Sequence, residues 1–349
     1  MSYATPGAYN TYIPNLVDSE ATDALVVGFS RNPKSFRLNQ YGQIRQVKRK
    51  AGEYLRISPD LAHRLLYADG RDRVWADGDD SPTGVDNRLR FEGEPYRTIR
   101  YADAVTLGAQ AVEQAQFMVE ALQQGQLVQK MMTFRTNMAG TALSSASWGG
   151  NTADVDGGLS GGQNWSNGSG TSPNFKNSIL KAASIIKKAT AGTVMRENLV
   201  LVMNPDTAIG ASISPEFHNA MFQSIYALPQ IRGDAEIDYD WGIPPRVGGV
   251  PVIIEDATYN SAADGATASN GYIIPTGTAY LLARPGGTVE FGTEETPVIS
   301  TLMGFFLEEL TVQSRTDQWQ RRTEIRIATE FSYVVSSVLS GFKFTRVLG

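Results

Sequence analysis

The sequence predicts a mixed α+β fold, and three observations carry that expectation. Residues 106–138 run without proline and, beyond the first turn, with a single interior glycine, Gly125, which predicts one long helix. Leu199, Val200, Leu201, Val202 and Met203 form a continuous apolar run of the kind that fills a strand buried on both faces. From residue 241 onward, short apolar segments are punctuated by glycine, proline and polar turns, which reads as a β-rich end.

Taken in order, residues 1–34 hold three prolines and three tyrosines with no helical period, the pattern of an extended arm. Residues 35–57 alternate in places and read as a strand hairpin with a basic edge made by Arg45, Lys48, Arg49, Lys50 and Arg56. Two readings of that edge stand: a lysine-rich guard against promiscuous strand pairing, or a patch that meets an acidic partner. The excursion at 68–93 is acidic, with Asp69, Asp72, Asp77, Asp79, Asp80, Asp86 and Glu92. Residues 95–101 read as a strand leading into the long helix.

In that helix Val112, Ala115, Val119 and Leu122 recur at steps of three and four, and the stripe resumes in a new phase after Gly125 with Val128, Met131, Phe134 and Met138. At 106–138 the helix would be about 50 Å long, a spine rather than an ordinary core helix. Its polar face carries Gln110, Gln114, Gln116, Gln123, Gln124, Gln126 and Gln129 with few charges. Residues 144–173 are a Gly/Ser/Asn-rich linker with Trp148 and Trp165 as aromatic anchors.

Residues 177–190 carry a helical stripe of Ile179, Leu180, Ala183 and Ile186 that ends with Lys187, Lys188 and then Gly192. After the buried run, Asn204, Pro205 and Asp206 open a short helix, and a second is predicted over 215–223. Strands are predicted over 246–255, split by Gly248 and Gly249, and as pairs over 271–282 and 331–347. Between them, 306–313 and 324–329 flank a charged turn at 314–322 that holds Arg315, Asp317, Arg321 and Arg322.

A hydrophobic content of 42% with 19% charged residues describes a folded chain, and a net charge of −5 argues against a protein whose main task is to coat nucleic acid. With no cysteine, thiolate metal sites, disulfides and cysteine nucleophiles are excluded. No segment has the length and apolarity of a membrane span, and residues 1–16 lack signal-peptide character, which together predict a soluble cytoplasmic product. His63 and His218 stand far apart, no nucleotide or zinc motif occurs, and the GxSxG match at Gly158, Ser160 and Gly162 lacks the strand–turn–helix setting of a nucleophile. Of the carboxylate pairs, Glu308 with Glu309 and Glu294 with Glu295 are adjacent in strand-like segments and point apart. Asp238 and Asp240 share a face and leave a carbohydrate-active enzyme as an alternative of a different class.

This order of arm, hairpin, long helix, Gly/Ser linker, α/β unit, Pro/Gly-framed strands and late charged hairpin resembles the major capsid proteins of tailed bacteriophages, whose fold is shared with encapsulin shells. The resemblance rests on the run 198–206, on Trp241, Gly242, Ile243, Pro244 and Pro245 with the strands to Asp256, and on the terminal segment 336–347. It implies a phage major capsid fold with an N-terminal arm at 1–34, an extended β-hairpin loop at 35–100, a peripheral domain with the spine helix at 101–176 and 286–332, and an axial α/β domain at 177–285 and 333–349. It further implies a non-enzymatic subunit, without cofactor or metal, that assembles in a host cytoplasm into the icosahedral head of a virion. Its partners would be itself as pentamers and hexamers, scaffold, portal and cement proteins, and, weakly, packaged double-stranded DNA, with no membrane. An encapsulin-type compartment is the alternative within that fold.

Candidate inter-subunit contacts are then Arg45, Lys48, Arg49, Lys50, Asp79 and Asp80 on the loop, and Arg315, Asp317, Arg321 and Arg322 near a three-fold junction. Some relatives cross-link lysine to a late asparagine. No asparagine follows Asn270, so no such cross-link is expected.

Overall fold

The computed structural model describes residues 36–57, 77, 91–114, 119–155, 159, 164–166, 174–214, 241–262, 266–284 and 300–348. The elements are α1 (Leu38–Tyr41), β1 (Gln43–Gln46), β2 (Ala51–Ile57), β3 (Phe91–Arg97), β4 (Ile99–Gly108), α2 (Ala109–Gln114), α3 (Val119–Ser145), β5 (Thr152–Asp154) and α4 (Asn174–Ala189). They continue with β6 (Leu199–Met203), α5 (Pro205–Ser212), β7 (Arg246–Val247), β8 (Val250–Ile254), β9 (Thr258–Asn260), β10 (Asn270–Tyr272), β11 (Ala279–Ala283), β12 (Leu302–Asp317), β13 (Arg322–Val335) and β14 (Phe342–Thr345).

A six-stranded sheet in the order β5-β14-β11-β6-β8-β7 is built around the apolar run. All five residues of β6 are buried, and its two faces serve different cores. Leu199, Leu201 and Met203 join Ile179, Ile186 and Ala208 from α4 and α5, whereas Val200 and Val202 join Ala139 and Leu143 of α3. The neighbouring β11 divides in the same way, Leu281 to the first core and Tyr280 and Leu282 to the second. A strand covered on both faces gains nothing from polar alternation, which is why the sequence reads as one apolar run. The first turn of α5 is set by Asn204, whose Oδ1 accepts from the Thr207 N–H at 2.8 Å, with Pro205 at the helix start. The end of α4 is closed by Gly192 at φ +82°, its N–H donating to the Lys187 carbonyl at 2.7 Å.

The second sheet has the order β1-β12-β13-β4. In it β13 is zipped along its length between two antiparallel neighbours, from Arg322↔Gly108 to Phe331↔Ile99 on one side and from Asp317↔Arg322 to Leu302↔Val335 on the other. The spine helix α3 crosses from one sheet to the other. Val119, Leu127 and Met131 pack with Leu107, Ile325 and Ile327 of the four-stranded sheet. Farther along, Ala139 and Leu143 lie against the six-stranded sheet. Val112 and Val119 before Gly125 and Val128 and Met131 after it belong to the same cluster, so the change of phase at Gly125 does not mark a change of sheet.

Several boundaries differ from the sequence expectation. The long helix does not begin at residue 106, because Val105 and Leu107 complete the alternation of β4 opposite Ile325 and Thr323. Helix starts at Ala109, and α3 runs through Gly125 and past Met138 to Ser145, 27 residues or about 40 Å. Residues 35–57 are not a local hairpin: β1 runs parallel to β12, and β2 pairs instead with β3 across residues 58–90. The expected pair at 271–282 is split, β10 pairing with β9 and β11 lying between β14 and β6, with Gly277 at φ +78° in the turn between β10 and β11. The expected pair at 331–347 is split between the two sheets: β13 ends at Val335, a 3-10 turn follows at Val338–Ser340, and β14 pairs with β11. The late charged turn is shorter than expected, since β12 and β13 extend to Asp317 and Arg322.

Within the Gly/Ser linker, β5 adds to β14 in parallel and both tryptophans are buried, Trp148 donating from Nε1 to the Leu143 carbonyl at 3.0 Å and Trp165 packed edge-on to Phe175. The predicted arm at 1–34 and the helix at 215–223 lie outside the described residues.

Two consequences are measurable by denaturation of the purified chain. A Cβ at Gly140 would meet Ile273 Cγ2 at 2.5 Å, whereas one at Gly125 would meet nothing within 4 Å. Gly140→Val is expected to cost about 1–3 kcal/mol through overpacking, and Gly125→Ala to stabilise by up to about 1 kcal/mol. The second concerns alkaline stability. Burial holds the Tyr41 phenol well above its ordinary value of 10.0, with the Glu255 carboxylate beside it adding to the effect, and burial pushes Tyr280 up to about 12. Folded values raised above unfolded ones mean a contribution fully present below pH 10 and lost as pH rises beyond it, through about 12 for Tyr280, at up to about 1.4 kcal/mol per pH unit per phenol. Tyr280 Oη is buried without a partner, so Tyr280→Phe is expected to be neutral or stabilising at pH 7 and to flatten the alkaline decline.

Candidate assembly interface

Two features of the four-stranded sheet collect exposed charge and ordered geometry: the root of the β2–β3 ribbon and the tip of the β12–β13 hairpin. At the root, Gly52 lies opposite Tyr96 in the ribbon and has no side chain to obstruct that ring, which stacks on Phe305 of β12 at 4.4 Å and 11°, with Tyr54 also against Phe305 at 5.5 Å. Thr98, fully buried, joins β3 to β4. Its N–H donates to the Lys50 carbonyl at 2.8 Å, and its Oγ1 lies 2.9 Å from Glu330 Oε1 and 3.1 Å from the Lys50 carbonyl. Glu330 is buried and stands directly across from Glu308 on β12 and from Arg100 on β4. Arg100 reaches Glu308 at 3.3 Å, and Lys50 Nζ is 3.9 Å from Glu330.

The loop candidates thus have different fates. Lys50 makes a long contact with the buried Glu330 while its own side chain stays exposed, and Arg45, Lys48 and Arg49 are exposed. Arg56, a member of the same basic edge, pairs with Glu92 and Glu94 across the ribbon. Asp79 and Asp80 lie outside the described residues, as do Asp238, Asp240, Glu294, Glu295, His63 and His218. The adjacent Glu308 and Glu309 engage different partners, Arg100 for the first and Gln46 for the second, which donates from Nε2 at 2.9 Å. Among the described residues no group of three or more His, Cys, Asp or Glu side chains is arranged to hold a metal, and no helix is long and apolar enough to cross a membrane.

At the tip, Arg315, Asp317, Arg321 and Arg322 do come together. Asp317 is less a surface charge than a turn-former: its Oδ1 accepts from the N–H groups of Trp319 and Gln320 at 3.0 and 3.2 Å. Arg321 takes φ +45°, and its carbonyl accepts from the Ala109 N–H at 2.8 Å, tying the turn to the start of α2. Arg315, Arg321 and Arg322 are exposed. The residue that sequence reasoning passed over is Trp319, 97% exposed at the apex. Its signal was available, an indole inside a short charged turn, but charge drew attention to its neighbours. Thr98 and Glu330 were also missed, because neither type nor spacing marks a residue that is buried only when β1, β3, β4 and β13 meet.

The root separates a buried hydrogen bond from a surface ion pair. Thr98→Val removes the hydroxyl facing a buried carboxylate and is expected to lower subunit stability by about 1–3 kcal/mol. Lys50→Ala removes a long pair whose lysine side chain is 59% exposed, with an expected loss of about 0–1 kcal/mol. Urea titration of the two variants side by side checks the order.

No protein-family model matches the sequence, and no curated protein matches it. Solved structures do. A phage-related protein from Bordetella bronchiseptica RB50 superimposes with a TM-score of 0.57 at 13% identity, covering 91% of this chain and 94% of the other. The capsid of the cyanophage P-SCSP1u matches with a TM-score of 0.57 at 10% identity over 96% and 94% of the two chains. The capsid of a native gene transfer agent particle matches with a TM-score of 0.50 at 12% identity over 99% of each. At these identities the likeness is one of fold, and it extends over nearly the whole of each chain. This chain has the mixed α+β fold of phage capsid subunits.

Proposed function

We propose that this protein is a major capsid protein: a structural subunit, not an enzyme, that assembles with copies of itself into the icosahedral head of a tailed bacteriophage around double-stranded DNA. The observation that carries the reading is coverage. The likeness to capsid chains spans 91–99% of this chain rather than one embedded unit, so no additional catalytic domain is needed to account for its length. The net charge of −5 suits a container that touches its contents weakly.

In this reading residues 1–34 are an arm and 35–100 an extended loop laid over a neighbour. Residues 101–176 and 286–332 form a peripheral domain, and 177–285 with 333–349 an axial domain that closes pentamers and hexamers, with β5 adding to the axial sheet from outside that range. Arg45, Lys48, Arg49 and the arginines of the β12–β13 tip serve as contacts between copies, and Lys50 serves the loop root. Scaffold, portal and cement proteins act on the assembled lattice, in the cytoplasm of the host and then in the virion.

Sedimentation velocity and negative-stain micrographs of the purified chain test this. Closed shells or rings of subunits are expected alongside the 37.9 kDa species. Small globular particles alone, across the salt and concentration range that favours assembly, would overturn it.

A further inference from the structure

We propose that the tip of the β12–β13 hairpin, with Trp319 as its anchor, docks onto the acidic start of α2 and α3 on a second copy of this chain. The inference rests on the shell reading and adds to it a specific anchor and a specific acceptor.

The tip is unusual first in what it displays. An indole 97% exposed has given up the burial of roughly 150–250 Å² that a tryptophan offers. Yet the turn that carries it is held by the paired N–H contacts to Asp317 and by the Arg321 carbonyl's bond to Ala109. A fixed turn presenting tryptophan beside arginines has the composition of an interface hot spot, since its ordering cost is already met within the subunit.

Charge identifies the occupant. Arg315, Arg321 and Arg322 are exposed and make no ion pair among the described residues; Glu324 stands across the ladder from Arg315, and Asp317, across from Arg322, is engaged by the turn's N–H groups. With Asp317 turned to the backbone, the apex presents Arg321 and Arg322 side by side next to the indole, on a chain whose net charge is −5. At the same end of the sheet, where Arg322 stands opposite Gly108 and α2 begins, Glu113 and Glu120 are exposed and likewise make no ion pair among the described residues. On the first turn of α3 Leu122 is also exposed, at 44%.

The basic and acidic patches of one subunit thus lie near each other without pairing, while the tip is tied in place by its own backbone. A basic–aromatic apex on one copy and an acidic patch on the next make a heterologous contact, and two such patches at one end of a subunit favour closure into a small ring about a rotation axis near that end.

The test uses the full chain under conditions where the wild type assembles. Trp319→Ala and the reversal Arg321→Glu/Arg322→Glu are each expected to raise the subunit concentration for half-assembly about ten-fold or more. Far-UV circular dichroism and thermal midpoint should stay at wild-type values, which separates lost contact from lost fold. Combining the reversal with Glu113→Arg/Glu120→Arg should recover most of the loss. Assembly of the wild type should also shift tryptophan emission to shorter wavelength, and Trp319→Phe should remove that shift.

If the wild type assembles and the variants assemble equally well, this inference falls and the shell reading stands. If the wild type does not assemble, both fall. Loss without recovery in the charge swap rejects the acceptor on α2 and α3. Normal assembly with lost retention on double-stranded DNA would make the tip a nucleic-acid surface and overturn the proposal.

Discussion

The close seating of α3 on the six-stranded sheet is the constraint on which the remaining geometry depends. At Ala139 and Gly140 the helix backbone comes down against Ile273 and against the face of β6 and β11 that carries Val200, Val202 and Leu282. A larger side chain at Gly140 would hold the helix off by the thickness of a methyl group and open the second core along its length. Because the first half of the same helix packs with β4 and β13 through Leu107, Leu127, Met131, Ile325 and Ile327, the helix and the shared second core, where Phe306, Phe331 and Tyr333 join Val200, Val202 and Tyr280, together set the mutual orientation of the two sheets. Phe134 lies where the two contacts meet, against Tyr101 and Phe331.

That orientation in turn decides what the four-stranded sheet can present. One face is spent on α3, so the elements that leave the sheet are the β2–β3 ribbon, seated on Phe305, and the β12–β13 tip. Their energetics differ. The ribbon root is buried, and its order comes from aromatic stacking and from a hydroxyl facing a sequestered carboxylate, interactions worth about 1 kcal/mol or more apiece. The tip is solvated, and its turn is held by backbone donors on one aspartate. Exposed arginines there contribute little to the fold of the subunit, about 0–1 kcal/mol per pair even where pairs form. The exposed indole of Trp319 belongs to neither core of the subunit, and the docking proposed above would give it a role.

Legibility in the sequence followed how local each cause is. The buried strand β6, the Asn204–Pro205 start of α5 and the Lys188–Gly192 end of α4 were readable because each depends on neighbouring residues. The spine helix was readable in existence but not in its ends: Val105 and Leu107 fit a strand period as well as a helical one, and only the β13 partner decides between them. Strand partners were the least readable. The β1 strand lies beside β12, some 260 residues away in sequence, and no local pattern reports a parallel neighbour at that separation. The same holds for the candidate contacts. Arg315, Arg321 and Arg322 were visible as charge, whereas the contact of Lys50 with Glu330 depends on β13.

Assembly by symmetry changes which energies matter. A single tip contact need only be modest, because a ring repeats it at every subunit and a closed shell forbids the partial release that would break one contact alone. Weak contacts also let misplaced subunits leave before closure, which a strong contact would prevent. A fold that invests its burial in α3 and β6, and leaves only a fixed tryptophan turn and unpaired charges at one end of the sheet, separates the two tasks. In the proposed shell the subunit would be stable before it meets its neighbours, and its association would stay adjustable by salt, since charges in solvent are screened within about 10 Å while the buried cores are not.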